Sequence, residues 1–273
     1  MGRKLFCEIS PLTYWISVQK NIVVRNFKNI FSAERFSVCK TREKLPCLVM
    51  EHKSTIRRVL GNVDMKLQEN KARNLSLAAP KIDGILIHPG ESFSFWKLVG
   101  KCKSSMGYKE GLTISGSDVS SGTGGGMCQL SNLIHWMILH SPLEITEHHH
   151  HDGFDLFPDH NRKVPFGTGT SITYNYLDYR FKNTTDTTFQ LCIYLTDNEL
   201  CGELRSERMP EFRYEIRTEN EHFVRENGVV YRVGQVYRKC FEASGSKVLW
   251  DKCIRNNHAR VMYSTDKLTV IQK

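Results

Sequence analysis

The chain has no run of the roughly 18 consecutive apolar residues that a bilayer-spanning helix needs. Its opening, MGRKLFCEISPLTYWISV, puts a glutamate and a proline where an export signal wants an unbroken apolar core, so a cytoplasmic location is expected. It also lacks any CxxC pair. The nine cysteines, at 7, 39, 47, 102, 128, 192, 201, 240 and 253, are odd in number and irregularly spaced, which argues against both a disulfide framework and a zinc ribbon. Reduced cysteines acting as small core residues are the expectation for most of them. No nucleic-acid-binding motif is recognisable, and nothing calls for a metal or another cofactor.

What is present is ordinary globular chemistry with a basic bias. Of the 273 residues, 40% are hydrophobic and 25% charged, enough to build a core without cross-links. The net charge is +9, and residues 1–44 hold nine Lys/Arg against three Asp/Glu. A basic end of this kind suits peripheral contact with an anionic membrane surface, or is simply a solvated face.

Residues 11–35 place Leu12, Trp15, Ile16, Val23, Phe27, Ile30 and Phe31 at loosely helical spacing behind Pro11, which predicts a basic amphipathic helix. A second helix is expected from about Thr55 to Ala79, ended by Pro80. From Ile82 the stretch DGILIHPGESFSFW reads as strand, tight turn and strand. Residues 115–126, SGSDVSSGTGGG, read as a loop, because glycine and serine cannot fill a core. ITYNYLDYRFKN and TTFQLCIYL predict a hairpin around Asn183–Asp186, and the tail from 206 to 273 predicts further strands in EFRYEIRT, GVVYRVGQVY and ARVMYS.

One segment carries chemistry. In GTGGGMCQLSNLIHWMILHS, Leu130, Leu133, Ile134, Met137 and Ile138 mark one apolar helix face beginning near Met127, and Cys128 projects nearly opposite its centre. In the first turn a thiol meets unsatisfied N–H groups and the positive end of the helix dipole, so a lowered thiol pKa is expected. The preceding glycines could supply amides to an oxyanion. The alternative is a small helix-start residue behind a glycine turn. EHHHHD at 147–152 offers a base: in an extended run His149 and His151 share one face and His148 and His150 the other, so only one pair can face a cleft. Equally, the run could be an exposed polar turn or an opportunistic zinc site with Cys128. His135, seven residues beyond Cys128, lies about two turns away and is expected to be a wall residue.

Together NLSLAAPKIDGILIHPGESFSF, VGKCKSSMGY, GGGMCQLSN, EITEHHHH and YLDYRFKN, spanning roughly residues 70–200, resemble the VanW family associated with glycopeptide-resistance gene clusters. The resemblance implies a cysteine-dependent, L,D-transpeptidase-like acyl transferase acting on peptidoglycan stem peptides or their precursors. Carried over residue by residue, it implies Cys128 as nucleophile, flanked by Gly124, Gly125, Gly126 and Gln129, with His149 and His151 as its HxH pair and Asp178 in its aspartate-bearing strand. Asp178 is then a candidate histidine orienter or, on the plainer reading, a structural aspartate. Ser131 and Asn132 stand where the family usually has Ser-Thr, which bears on the cleft and makes Ser131 a candidate substrate contact.

The expected fold class is α+β: N-terminal helices, a central cysteine-bearing helix packed on a mostly antiparallel sheet, and a small β-rich C-terminal extension. The expected divisions are a basic helical region at 1–69, a core at 70–205 and the extension at 206–273. The competing function is a non-catalytic module that binds a cell-wall precursor or a protein partner; a zinc hydrolase ranks third.

Overall fold

The computed structural model describes residues 5–57, 64–115, 118–150, 153–156, 158–159, 164–245 and 247–273. In chain order the helices are α1 (Pro11–Phe31), α2 (Met65–Ile82), α3 (Phe95–Val99) and α4 (Met127–Leu139). The strands before α4 are β1 (Cys47–Thr55), β2 (Ile85–Ile87), β3 (Ser92–Ser94), β4 (Glu110–Ser115) and β5 (Asp118–Thr123). After it come β6 (Glu144–Glu147), β7 (Phe154–Asp155), β8 (Arg180–Lys182), β9 (Phe189–Leu195) and β10 (Glu199–Ser206). The tail forms β11 (Phe212–Glu226), β12 (Val229–Glu242), β13 (Val248–Val261) and β14 (Val270–Gln272). The class is α+β, as expected. Among the described residues no helix is long and apolar enough to cross a membrane.

The central sheet runs β1-β10-β9-β2, with every neighbour antiparallel. Helix α4 lies across it through Leu130, Leu133, Ile134, Met137 and Ile138, all buried, on the face the sequence periodicity marks. Gly202 in β10 makes this approach possible, because a Cβ there would sit 2.7 Å from Met137 Cε and 2.8 Å from Leu133 Cδ2. Helix α2 completes the core with Leu75, Ala78 and Ile82, and Phe93, Phe95, Phe181 and Phe189 fill the remainder. Each fully buried side chain of this size contributes about 1.5–3 kcal/mol.

Four expectations change. The segment before α2 is strand β1, which reaches Thr55 and belongs to the central sheet, so the N-terminal region supplies part of the core sheet as well as helices. Pro80 falls within α2, near enough to its end that the chain completes the turn to Ile82. The glycine- and serine-rich stretch forms β5, paired with β4 in a hairpin, since backbone pairing needs no large side chains. Finally, β8 and β9 do not pair with each other. Strand β8 lies between β3 and β6 while β9 lies between β10 and β2, so Asn183–Asp186 passes from one sheet to another. Asn183 builds that crossing, its side chain donating to the Ile87 and Thr187 carbonyls and accepting from Thr185.

The C-terminal extension is β-rich as expected, ordered β14-β11-β12-β13-β7. It grips the core through two arginines. Buried Arg232 holds Asp155, Asp159 and Glu221. Arg238 donates to the carbonyls of Leu139, at 2.8 Å, and Ser141, at 2.5 Å, capping the C-terminal end of α4, where a cation also matches the helix dipole. Its guanidinium lies over Tyr214, 4.3 Å from the ring centroid, and over Trp250. Replacing it leaves two half-buried carbonyls without this donor. Arg238→Met is therefore expected to cost about 3 kcal/mol, read as a lowered urea midpoint at constant slope. An unchanged midpoint would show that the extension does not brace α4.

Candidate functional site

The start of α4 is set by packing against backbone. A Cβ on Gly125 would overlap the backbone of Gly111 in β4, and one on Gly126 would sit 2.6 Å from Lys71 Cγ. Gly124 and Gly126 also have φ of 85° and 108°, a region that favours glycine. Asn74 of α2, fully buried, pins the loop: its amide nitrogen donates to the carbonyls of Gly125 at 2.9 Å and Lys109 at 3.0 Å, and its oxygen accepts from Lys109 N. The Gly124 amide donates to Lys109 O and the Gly125 amide to Gly122 O. These two glycines thus stitch the loop to the β4–β5 hairpin, and the expectation that they aim amides at an oxyanion is corrected. Gln129 is likewise an anchor, its side-chain nitrogen donating to Ser54 Oγ at 2.8 Å and to the Thr55 carbonyl at 2.9 Å.

Cys128 occupies the second position of α4 and is partly buried. Burial pushes its thiol above the ordinary value, while backbone hydrogen bonds from Ile172 and from Cys128 itself pull the other way without prevailing. The expected lowering is therefore reversed: loss of hydration for the charged form outweighs what the helix start supplies.

One short segment joins this sulfur to the histidines. Ile172 hydrogen-bonds Cys128, while Thr170 meets Ser131 and donates twice to Asn132 Oδ1. On its other side the Ser171 amide donates to the His149 carbonyl at 2.7 Å, and the Gly169 carbonyl lies 3.1 Å from His148 Nε2. Ser131, fully buried, also donates to the Cys128 carbonyl, so it fastens the helix start to residues 169–172 rather than lining an open cleft.

Strand β6 delivers the histidine run, and its side chains alternate as an extended run requires. His148 and His150 meet edge to face with their ring centroids 4.0 Å apart, and His148 packs 4.1 Å from His135 of α4. His135 bonds Tyr179 Oη at 3.1 Å. Burial, the neighbouring imidazoles and Arg238 together hold His135 well below its ordinary pKa, and burial raises Tyr179. His149 turns to the opposite side, where Nε2 lies 3.0 Å from Glu147 Oε1. His151 lies outside the described residues. Burial alone would raise the Glu147 carboxyl, but hydrogen bonds from Arg25, His149 and the Asp178 amide hold it below its usual range.

Asp178 is fully buried and accepts from Ser94 Oγ at 2.6 Å, the Trp96 and Tyr179 amides and Arg180 Nε at 2.8 Å. It fixes α3 to β8. Among the described residues of the site, the carboxylate hydrogen-bonded to a histidine is Glu147, which sequence reasoning passed over although it opens the EHHHHD run on the same face as His149. His135 and Tyr179 were also missed in this role. Among the described residues no group of three or more His, Cys, Asp or Glu side chains is arranged to hold a metal ion.

Residues 70–205 match the family described as VanW like protein. Over 229 residues the chain is 34% identical to the vancomycin B-type resistance protein VanW of Enterococcus faecalis, covering 84% of this chain and 83% of that protein. The chain belongs to the VanW family. A shorter stretch of 118 residues is 30% identical to the uncharacterized protein YoaR of Bacillus subtilis, covering 42% of this chain and 36% of that one. No solved structure matches it. The family region contains Cys128, the histidine run and Asp178, whereas Arg25 and Arg238, which brace the histidine side of the site, lie outside it.

Two outcomes follow. Gly125→Ala forces a methyl into backbone that has no flexible end to move, so a loss of at least about 3 kcal/mol is expected in chemical denaturation; a neutral result would mean the loop and hairpin separate freely. Because its pKa lies above the ordinary 9.0, Cys128 is expected to alkylate with iodoacetamide at a rate still climbing through pH 9. A plateau near neutral pH, followed by peptide mass mapping, would contradict the buried neutral thiol.

Proposed function

We propose that this VanW-family chain is a vancomycin-resistance accessory protein that uses Cys128 for acyl transfer on peptidoglycan stem peptides or their precursors. The observation that carries the reading is the shared segment 169–172, which touches the Cys128 sulfur through Ile172 and the histidine run through Gly169 and Ser171. The relationship to a resistance protein supports the biological setting. Chemically, the Cys128 proton passes to an imidazole of the 148–151 run as the sulfur attacks a peptide carbonyl. The same proton then goes to the departing amine. An acceptor amine attacks the thioester and frees the thiol. His149 and His151 remain the proposed proton-handling pair, with Glu147 fixing His149, while His148 rests on neutral His135 and His150 on His148.

A second reading has one observation in its favour. The raised thiol pKa suits a non-catalytic cleft that binds a cell-wall precursor, since a neutral sulfur is a good packing atom and a poor nucleophile. Intact-mass measurement after incubation with a stem-peptide donor separates the two. The acyl-transfer reading expects a thioester adduct on the wild-type chain, absent in Cys128→Ala, and a fall of at least about a thousandfold in turnover with an unchanged thermal midpoint. Full turnover by a folded Cys128→Ala protein would remove the nucleophile assignment, and precursor binding that survives thiol blockade without any adduct would favour the binding module.

A further inference from the structure

Helix α1 turns its polar side to the body of the protein and its apolar side away. Arg25 holds Glu147 and the Tyr176 carbonyl, Asn26 accepts from Asn175 at 2.6 Å, and Asn29 accepts from Arg180 at 2.9 Å. No described residue of this helix is buried. On the far side Leu12, Ile16, Val23, Phe27 and Ile30 are 65%, 41%, 50%, 57% and 72% exposed. At about 100° per residue they fall within roughly 60° of arc, a continuous stripe along the helix with Trp15 at its edge. In a water-soluble fold an apolar stripe this long normally covers a core; here the core is complete without it.

Charge selects what covers it. Residues 9–33 contain Lys20, Arg25 and Lys28 and no Asp or Glu, and Lys20 borders the stripe. A second copy of the helix would bring lysine against lysine with no carboxylate on either side to offset them. An anionic lipid surface offers both a low-dielectric layer for the stripe and phosphates for the lysines.

We propose that α1 lies flat on anionic membrane, its stripe among the upper acyl chains and Lys20 and Lys28 at phosphate level, with the folded body held above it. The latch that joins the helix to the body, Arg25 with Glu147, also carries His149, so surface contact and the histidine run share one ion-pair network. This inference is independent of whether Cys128 is a nucleophile.

Co-sedimentation of the full chain with phosphatidylglycerol/phosphatidylcholine vesicles, against pure phosphatidylcholine, tests it. Binding to the anionic vesicles that weakens with salt is expected. Ile16→Ser/Phe27→Ser should reduce it at least tenfold with an unchanged thermal midpoint, because both side chains are exposed. Lys20→Glu/Lys28→Glu should abolish the preference for anionic lipid while sparing the fold. Failure to bind vesicles, or binding indifferent to both pairs of substitutions, overturns the proposal. A dimer seen by sedimentation equilibrium and dispersed by Phe27→Ser, with no vesicle binding, would overturn it in favour of self-association.

Discussion

Helix α4 begins where it does because the backbone of Gly124–Gly126 lies directly against Gly111, Cys102 and Lys71, with no room for a side chain on the glycines. Everything at the site is referred to that contact. It sets the height of Cys128 above the central sheet, and the buried Asn74 fixes it by bonding both the loop and the β4–β5 hairpin. Gln129 then ties the next residue to β1, and Ser131 ties the turn after that to Thr170. The residues around the cysteine that looked like a substrate cradle are in large part the fasteners of a rigid helix start. That is how a loop rich in glycine holds a thiol still: freedom in the unfolded chain is removed by backbone contacts on several sides.

Local pattern made a large part of this legible. The apolar positions of α4 recur at helical spacing and are buried, Pro11 starts α1 as its chemistry requires, and the alternation in residues 148–150 sends His149 one way and His148 and His150 the other. What the pattern could not carry was partnership. Nothing in TTFQLCIYL announces that β9 pairs with β10 and β2 while β8 joins another sheet, because both strands alternate equally well in either arrangement. Residues 169–172 have no periodicity, yet they connect cysteine to histidines. The thiol pKa was misjudged for a related reason: the helix dipole is visible in the sequence, whereas desolvation depends on what long-range contacts place over the sulfur.

Two arginines from outside the family region act on the same group of histidines from opposite ends. Arg25, on α1, grips Glu147 and through it positions His149. Arg238, on β12, caps α4 and adds positive charge near His135. The N-terminal helix and the C-terminal sheet are thus coupled to the site by ion pairs and hydrogen bonds rather than by sharing its core. Such contacts are geometrically exacting and contribute modestly when exposed, more when partly buried as here.

The electrostatics then define what chemistry the site can begin from. A resting thiolate–imidazolium pair requires the environment to favour both charges. Burial disfavours the thiolate of Cys128, and burial, adjacent imidazoles and Arg238 disfavour protonation of His135, so at neutral pH these two groups rest uncharged. For a nucleophilic cysteine this moves the charge separation out of the free protein and into the complex, where an arriving carbonyl must accept electron density as the proton leaves. On the acyl-transfer reading, the Ile172 and Cys128 backbone hydrogen bonds to the sulfur would strengthen as negative charge grew on it, and so would act most in the attacking state. A partly buried thiol kept neutral is also protected from alkylation and oxidation, which follow thiolate content and exposure.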